Sequence, residues 1–437
     1  MIEVQKRETE RKDKMAKATL QKKPVNGMKD VLPREMQIRQ WCMRIIRENY
    51  KSYGFTEIET PCVEQIGNLS SKQGGENEKL IFKILKRGEK LNLAGAETEN
   101  DLVDSGLRYD LTLPLSRYYA NHQSELPSPF KALQMGNVWR ADRPQKGRFR
   151  QFLQCDIDIL GEPTNLAEIE LILATTSTLQ KLGFSGFKVR INERRILRAM
   201  AAYAGFPEEE FETVYIILDK MDKIGMDGVR AELEAYGFSP QAVEKCITLF
   251  GGMEKAADPI AYVKDTLSEV LEDGVCESLA EIREAVLAAG QDGFEIVFDP
   301  TLVRGMGYYT GTIFEIEMAD FGSSVAGGGR YDKMVGRFTG NDTPACGFSI
   351  GFERIITILL EQDFKIPDEK KKTAFLLEKN LPADKLADAI FQAQQKRDAG
   401  EQVLMVRMNK NKKFQKQQLE AEGYTEFVDF YREALKN

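Results

Sequence analysis

Residues 137–161, NVWRADRPQKGRFRQFLQCDIDILG, are the most informative stretch of the chain. Two β-prone runs, VWRADR and FRQFLQCDIDILG, flank RPQKG, where Pro144 and Gly147 punctuate the chain and the cations make a basic tip. The spacing predicts a hairpin inside a strand-rich region from about 107 to 160. Moving towards the N-terminus, REMQIRQWCMRIIRENYKSYG carries Met36, Trp41, Ile45, Ile46 and Tyr50 at roughly helical spacing and ends at Gly54. The next run, FTEIETPCVE, reads as extended and is broken by Pro61. Moving the other way, residues from about 195 to 290 are strongly helical, as in RRILRAMAAYAG and SLAEIREAVLAAG. Strand signals resume at FEIVFDP and TIFEIEMADF, where Phe314, Ile316 and Met318 share one face and Glu315 and Glu317 the other. The expectation is an α+β fold: a mainly antiparallel core carrying a helical insertion.

The expected boundaries are a charged tail at 1–23, a core at 24–194, the insertion at 195–292, the rest of the core at 293–363 and a linker at 364–372. A small α/β unit follows at 373–437, alternating strand, helix, strand, basic helix and strand. The 437 residues are 42% hydrophobic and 30% charged, enough for more than one domain and an ordinary core. Against 68 acidic residues stand 61 Lys and Arg, so any nucleic-acid contact must come from a local basic patch. One histidine, His122, excludes His-based metal clusters and reads as structural. The six cysteines, at 42, 62, 155, 246, 276 and 346, form no CxxC pair, which points to reduced thiols and to no zinc site. No apolar run reaches membrane-spanning length, and the charged N-terminal stretch lacks a signal-peptide core. A cytoplasmic protein without a membrane partner is expected.

The chemistry narrows from what is missing. The dipeptide Gly-Lys is absent, so there is no Walker-type phosphate loop. RGMGYYTG spaces its glycines wrongly for a dinucleotide fingerprint and runs into a strand rather than a helix. AGGGRYD, from Ala326 to Asp332, permits close backbone approach, as a structural turn also would. Arg140 ends one strand-like run, Arg304 precedes another and Arg354 opens a helix after GFSIG. Separated guanidiniums of this kind can balance charge on phosphate oxygens, and a helix N-terminus adds dipoles of the same sign. Their spacing alone names no reaction.

The ordered motifs resemble those of histidyl-tRNA synthetases, a class II aminoacyl-tRNA synthetase family, over roughly residues 25–362. GMKDVLP, its following helix and GFTEIETP are similar to the family's first motif, with Pro61 at the implied dimer interface. GLRYDLTLPLSRYYA resembles the segment that holds the amino group, and residues 137–161 resemble the second motif. LVRGMGYYTGTIFEI and SSVAGGGRYD resemble the two histidine-specific motifs, and ACGFSIGFERI the third class motif. The resemblance implies an antiparallel sheet flanked by helices, a helical insertion and a C-terminal anticodon-binding domain.

It also implies a histidine–tRNA ligase. Histidine and ATP would give histidyl-adenylate, and the aminoacyl group would pass to the 3′ end of the histidine tRNA, with Mg²⁺ accompanying ATP. Carried over by position, the catalytic arginines are Arg304 and Arg140, and Arg140, Asp142, Arg354 and Glu315 bind ATP. Asp158, Tyr309 and Tyr331 fall where the family holds the imidazole ring, Tyr308 falls among its histidine-binding positions, and Asp110, Thr112 and Gln154 fall where it holds the α-amino group. Arg143, Lys146, Arg148 and Arg150 fall in the loop presented to the acceptor end of tRNA, and the tail helix with Arg407, Lys410, Lys412, Lys413 and Lys416 offers a second phosphate contact.

The chain departs from the pattern at Gly307, where the family usually shows Asp, and in the tail, which resembles a shortened anticodon domain. The rival implication is a synthetase-like regulatory subunit that senses histidine for ATP phosphoribosyltransferase. Such relatives lack the anticodon domain and commonly lose the ATP-binding arginines, which are all present here. A plain RNA-binding module would need neither the arginines nor the imidazole set.

Overall fold

The computed structural model describes residues 21–70, 79–289, 292–303, 307–318, 323–367 and 371–433. The expected charged tail therefore lies almost wholly outside the described residues. In chain order the strands are β1 (Thr56–Glu57), β2 (Val63–Gln65), β3 (Lys83–Leu85), β4 (Val103–Leu107), β5 (Phe130–Trp139), β6 (Gln151–Leu160), β7 (Phe187–Glu193), β8 (Phe294–Phe298), β9 (Thr312–Met318), β10 (Ser323–Arg330), β11 (Ala345–Gly351), β12 (Lys372–Leu377), β13 (Gln402–Arg407) and β14 (Glu426–Phe430). They fall into two compact units, one spanning Ile45–Thr357 with the segment up to Asp30, the other joining Val31–Arg44 to the chain from Ile358 onward.

The larger unit is built on an eight-stranded sheet of order β1-β5-β6-β11-β10-β9-β7-β8. Its interior pairs are all antiparallel, as expected, while β1 and β8 join the edges in parallel. The hairpin of β5 and β6 is the longest pairing, from Phe130 opposite Leu160 to Trp139 opposite Gln151. Its tip closes where Gln145 and Arg148 exchange backbone hydrogen bonds of 3.1 and 2.9 Å around Lys146 and Gly147. Gly147 has φ +69°, a left-handed conformation that explains a glycine at that corner.

Period-two alternation sorts the two faces of this sheet. On β6, Cys155, Ile157 and Ile159 are buried in the core, which turns Gln154, Asp156 and Asp158 to the opposite face. On β9, Phe314 and Ile316 are fully buried and Phe314 packs on Phe348 of β11 with ring centroids 4.5 Å apart. The helix Leu166–Lys181 carries buried Leu171, Ile172 and Leu179, and Asn49 ties to it by donating to the Thr178 hydroxyl at 2.7 Å. Among the described residues, six α-helices and one short 3-10 helix lie between β7 and β8, where the insertion is expected. Two of the α-helices begin on side-chain caps: Ser239 accepts from the Ala242 amide, and Asp258 from those of Ile260 and Ala261, each followed by proline.

One local expectation needs correction. The region from 107 to 160 is not all strand, because Thr112–His122 is a helix. Leu113, Pro114, Leu115, Ser116 and Tyr119 are all buried in it, so the segment lacks the polar stripe that would have announced a helix.

In the second unit, β12 lies between β13 and β14 in a parallel sheet. All six residues of β12 are buried, and the helices Ala383–Asp398 and Lys412–Ala421 make the crossovers expected of a βαβ chain. No helix among the described residues is long and apolar enough to cross a membrane.

Candidate active site

A cavity of about 1040 Å³ lies against the polar face of the large sheet. Its wall brings together twelve of the residues singled out in the sequence: Asp110, Thr112, Arg140, Asp142, Arg148, Gln154, Asp158, Tyr308, Tyr309, Glu315, Tyr331 and Arg354. Arg143, Lys146 and Arg150 do not line it. Arg304 lies outside the described residues.

The floor is acidic and amidic. Asp110 sits just before the helix Thr112–His122 and accepts from the Leu113 amide at 3.2 Å through Oδ1. On β6, Asp158 accepts from the Tyr331 hydroxyl at 2.6 Å, also through Oδ1. Gly347 faces Asp158 across the β6–β11 pairing, and a Cβ there would lie 2.0 Å from that same oxygen. Glycine is thus the residue that lets the carboxylate occupy its place. The tyrosines stand close by: ring centroids are 4.9 Å apart for Tyr308 and Tyr309, and 6.1 Å for Tyr308 and Tyr331.

Three buried acceptors at this floor have no hydrogen-bond partner among the described residues: Asp110 Oδ2, Gln154 Oε1 and Asp158 Oδ2. Unpaired buried acceptors are costly, and together they suit a ligand rich in N–H donors. Burial raises the pKa of Asp110, and that of Asp156 to about 7. Burial, with the neighbouring Asp156 charge, pushes Asp158 well above the carboxylate range. Burial likewise pushes the phenols of Tyr308 and Tyr331 well above theirs.

Cations border this floor. Arg140 follows β5 directly; its Nε donates to the Tyr109 carbonyl at 2.8 Å and its guanidinium lies 5.2 Å from the Phe152 ring centre. Arg354 stands in the first turn of the helix Phe352–Glu361 and donates to the Ser324 carbonyl. Arg190, on β7, was not anticipated. It pairs with Asp299, reaches Asp222 of the insertion at 2.8 Å and stands 3.8 Å from Glu317 and 4.0 Å from Glu315.

Sequence reasoning also missed Asp156 and Ser349. The signal was there, since Asp156 is two residues from both Gln154 and Asp158 and must share their face. Arg330 was read only as part of a glycine turn. Its guanidinium is clamped by both oxygens of buried Glu168, each at 2.6 Å, one residue away from Tyr331.

The hairpin tip divides its basic residues. Arg148 points towards Asp142 at 3.8 Å, while Arg150 donates to the carbonyls of Asp142 at 3.1 Å and Asn26 at 3.4 Å. His122 stands outside the cavity, 3.4 Å from Glu125. A side chain added at Gly307 would meet nothing within 4 Å among the described residues. Among the described residues no three His, Cys, Asp or Glu side chains converge as a metal cage. Glu315 at the cavity wall is the kind of single carboxylate that suits Mg²⁺ carried in by a polyphosphate, which supplies most of its own oxygens.

Comparison with known proteins is consistent with this layout. A family model described as histidyl-tRNA synthetase matches residues 27–355. The histidine–tRNA ligase of Leifsonia xyli is 46% identical over 362 residues, covering 79% of this chain and 82% of that protein. The corresponding ligase of Christiangramia forsetii is 38% identical over 77% of this chain and 76% of its own length. Among solved structures, histidyl-tRNA synthetase from Nostoc sp. PCC 7120 superposes with TM-score 0.74 at 28% identity, covering 93% of this chain and 90% of that one. The chain belongs to the histidyl-tRNA synthetase family and has the class II synthetase fold.

Proposed function

We propose that the protein is a histidine–tRNA ligase. It activates histidine with ATP to histidyl-adenylate and transfers the aminoacyl group to the 3′-terminal adenosine of the histidine tRNA. The observation that carries this reading is the set of three unpartnered buried acceptors, Asp110 Oδ2, Gln154 Oε1 and Asp158 Oδ2, in a cavity that also holds Arg140 and Arg354. A ligand with an ammonium group, a ring N–H and an adjoining anion would satisfy both halves. Histidine beside a nucleoside triphosphate has that inventory.

In this reading Asp110, Thr112 and Gln154 take the α-ammonium. Asp158 receives the imidazole N–H, held in place by the Tyr331 hydroxyl, while Tyr308 and Tyr309 shape the ring pocket. The histidine carboxylate then attacks the α-phosphorus of ATP and pyrophosphate leaves. Arg140 grips the α-phosphate and the carboxylate, and Arg304 stabilises the charge that develops there. Asp142 and Arg354 hold the nucleotide, with Arg354 at the γ-phosphate. Removing one such cation typically costs about 3–4 kcal/mol in the transition state. Mg²⁺, when bound with the triphosphate at Glu315, would neutralise charge between the phosphates.

The tRNA end is assigned to Arg143, Lys146, Arg148 and Arg150, of which Arg150 also braces its own loop. The catalytic core is split, 24–194 and 293–363, by the insertion at 195–292, and the unit at 373–437 is assigned to the anticodon side. A cytoplasmic homodimer is proposed through the segment around Pro61, which is exposed and lies two residues before Val63, itself 46% exposed. The regulatory alternative has no observation in its favour: the solved structure from Bacillus halodurans titled as a regulatory subunit/synthetase is 21% identical and speaks to the fold alone. Histidine-dependent ATP–pyrophosphate exchange tests the reading without tRNA. Exchange driven by histidine and not by other amino acids supports it; histidine binding without exchange overturns it in favour of a sensor.

A further inference from the structure

Asp156 takes no part in the chemistry above, yet it is 4% exposed at the centre of the cavity floor. It stands between Gln154 and Asp158 on β6 and directly opposite Ser349 on β11. Gln154 Nε2 donates to the Ser349 hydroxyl at 2.9 Å and reaches both Asp156 oxygens at 3.3 Å. Ser349 also acts on Asp156, lowering its pKa against the effect of burial. The contacts of Gln154 consume the N–H₂ end of the amide and leave Oε1 without a partner among the described residues.

An amide has two ends of nearly equal size, and only hydrogen bonding distinguishes them. An ionised carboxylate only accepts, so it can be satisfied by the N–H₂ end alone. We propose that Asp156 is a positioning residue for substrate selection: with Ser349 it locks the Gln154 amide so that Oε1, and not Nε2, faces the α-ammonium of the amino acid. This rests on the assignment of Gln154 to the α-ammonium made above. It adds a residue that touches no substrate and acts through the orientation of one that does.

The lock is sensitive to protonation. The groups around Asp156 are Asp110 ahead of the helix Thr112–His122, Arg140 at the end of β5, Gln154 and Asp158 on β6 and Ser349 on β11. Burial together with the charge of Asp110 raises its pKa, against Ser349, Arg140 and Gln154, and the outcome is about 7. Above that value Asp156 is a pure acceptor and the lock holds. Below it the carboxyl gains an O–H that can donate to Oε1, the amide is free to turn, and an N–H₂ faces the ammonium.

The test is steady-state exchange with Asp156→Asn and Gln154→Ala, using histidine as substrate and 3-(imidazol-4-yl)propionate, which lacks the α-amino group, as competitor. Asp156→Asn is expected to raise KM for histidine by about tenfold at pH 8.5 while kcat falls less than about threefold and the competitor's Ki stays put. The KM ratio of variant to wild type should narrow below about twofold at pH 6, because the wild type loses its own lock there. Ser349→Ala, a milder change, should move KM in the same direction and covers the case that Asp156→Asn does not fold. Gln154→Ala should narrow the preference for histidine over the deaminated competitor, with Asp110 and Thr112 still facing the ammonium. If it does so while Asp156→Asn and Ser349→Ala leave KM unchanged, or shift the competitor equally, the positioning role is wrong. If Gln154→Ala preserves the preference, the assignment of Gln154 fails and the proposal falls with it.

Discussion

At the scale of single residues, the cavity floor provides few donors for its own buried acceptors. Tyr331 gives Asp158 its one donor. Tyr331→Phe keeps the ring and removes that donor, which exposes a second unpaired oxygen on a fully buried carboxylate. The loss is expected to be about 1–3 kcal/mol, seen as a rise of about tenfold or more in KM for histidine with ATP binding unaffected. Much of this floor was legible in the sequence, because motif position carried Asp110, Gln154, Asp158 and the tyrosines as a group. Arg190 was not, since its neighbours Asp222, Asp299 and Glu315 come from segments far apart in the chain and meet only when β7 pairs with β8 and β9.

At the scale of elements, the strands of the large sheet act as a ruler for the site. Gly347 on β11 and Asp158 on β6 share a register position, so the glycine and the carboxylate form one unit. Gly347→Ala would push a methyl group onto Asp158 Oδ1. Calorimetric titration should then show histidine affinity reduced by at least about tenfold while ATP affinity stays within about twofold, since overpacking at such a contact costs about 1–3 kcal/mol. The Arg330–Glu168 clamp joins β10 to the helix Leu166–Lys181. Glu168→Gln leaves a nearly buried guanidinium without its carboxylate, and a loss of about 3 kcal/mol in stability, read as a lower urea midpoint, is expected. Hairpin, insertion helices and amphipathic strands were legible because their periodicity matches their burial. The helix Thr112–His122 was not, because its buried residues surround the axis and leave no period to detect.

At the scale of the whole molecule, a net charge of −7 coexists with a cavity rimmed by arginine and with a basic hairpin tip. Binding of the histidine tRNA should therefore weaken steeply as salt rises from 50 to 200 mM, on the order of tenfold or more for a few phosphate contacts. Histidine binding, inside a buried pocket, should change less than about twofold over the same range, since screening acts chiefly on exposed charge. Filter binding for the tRNA and calorimetry for histidine distinguish these; equal slopes would remove the basic tip from the tRNA contact. Fold class was legible from alternation and composition. The mixed edges of the sheet were not, since parallel pairing of β1 and β8 depends on where distant strands end.

The thiols of this chain carry a practical consequence. Of six cysteines only Cys62 is exposed, and it is the residue next to Pro61; the other five are buried. A maleimide dye or nitroxide will therefore attach at one place in the native, unmutated protein. If two copies meet at that segment, the two probes will report on each other directly, by energy transfer or dipolar coupling, and the reagent itself will compete with assembly. The chain thus comes with its own spectroscopic handle on the surface whose pairing most needs to be measured.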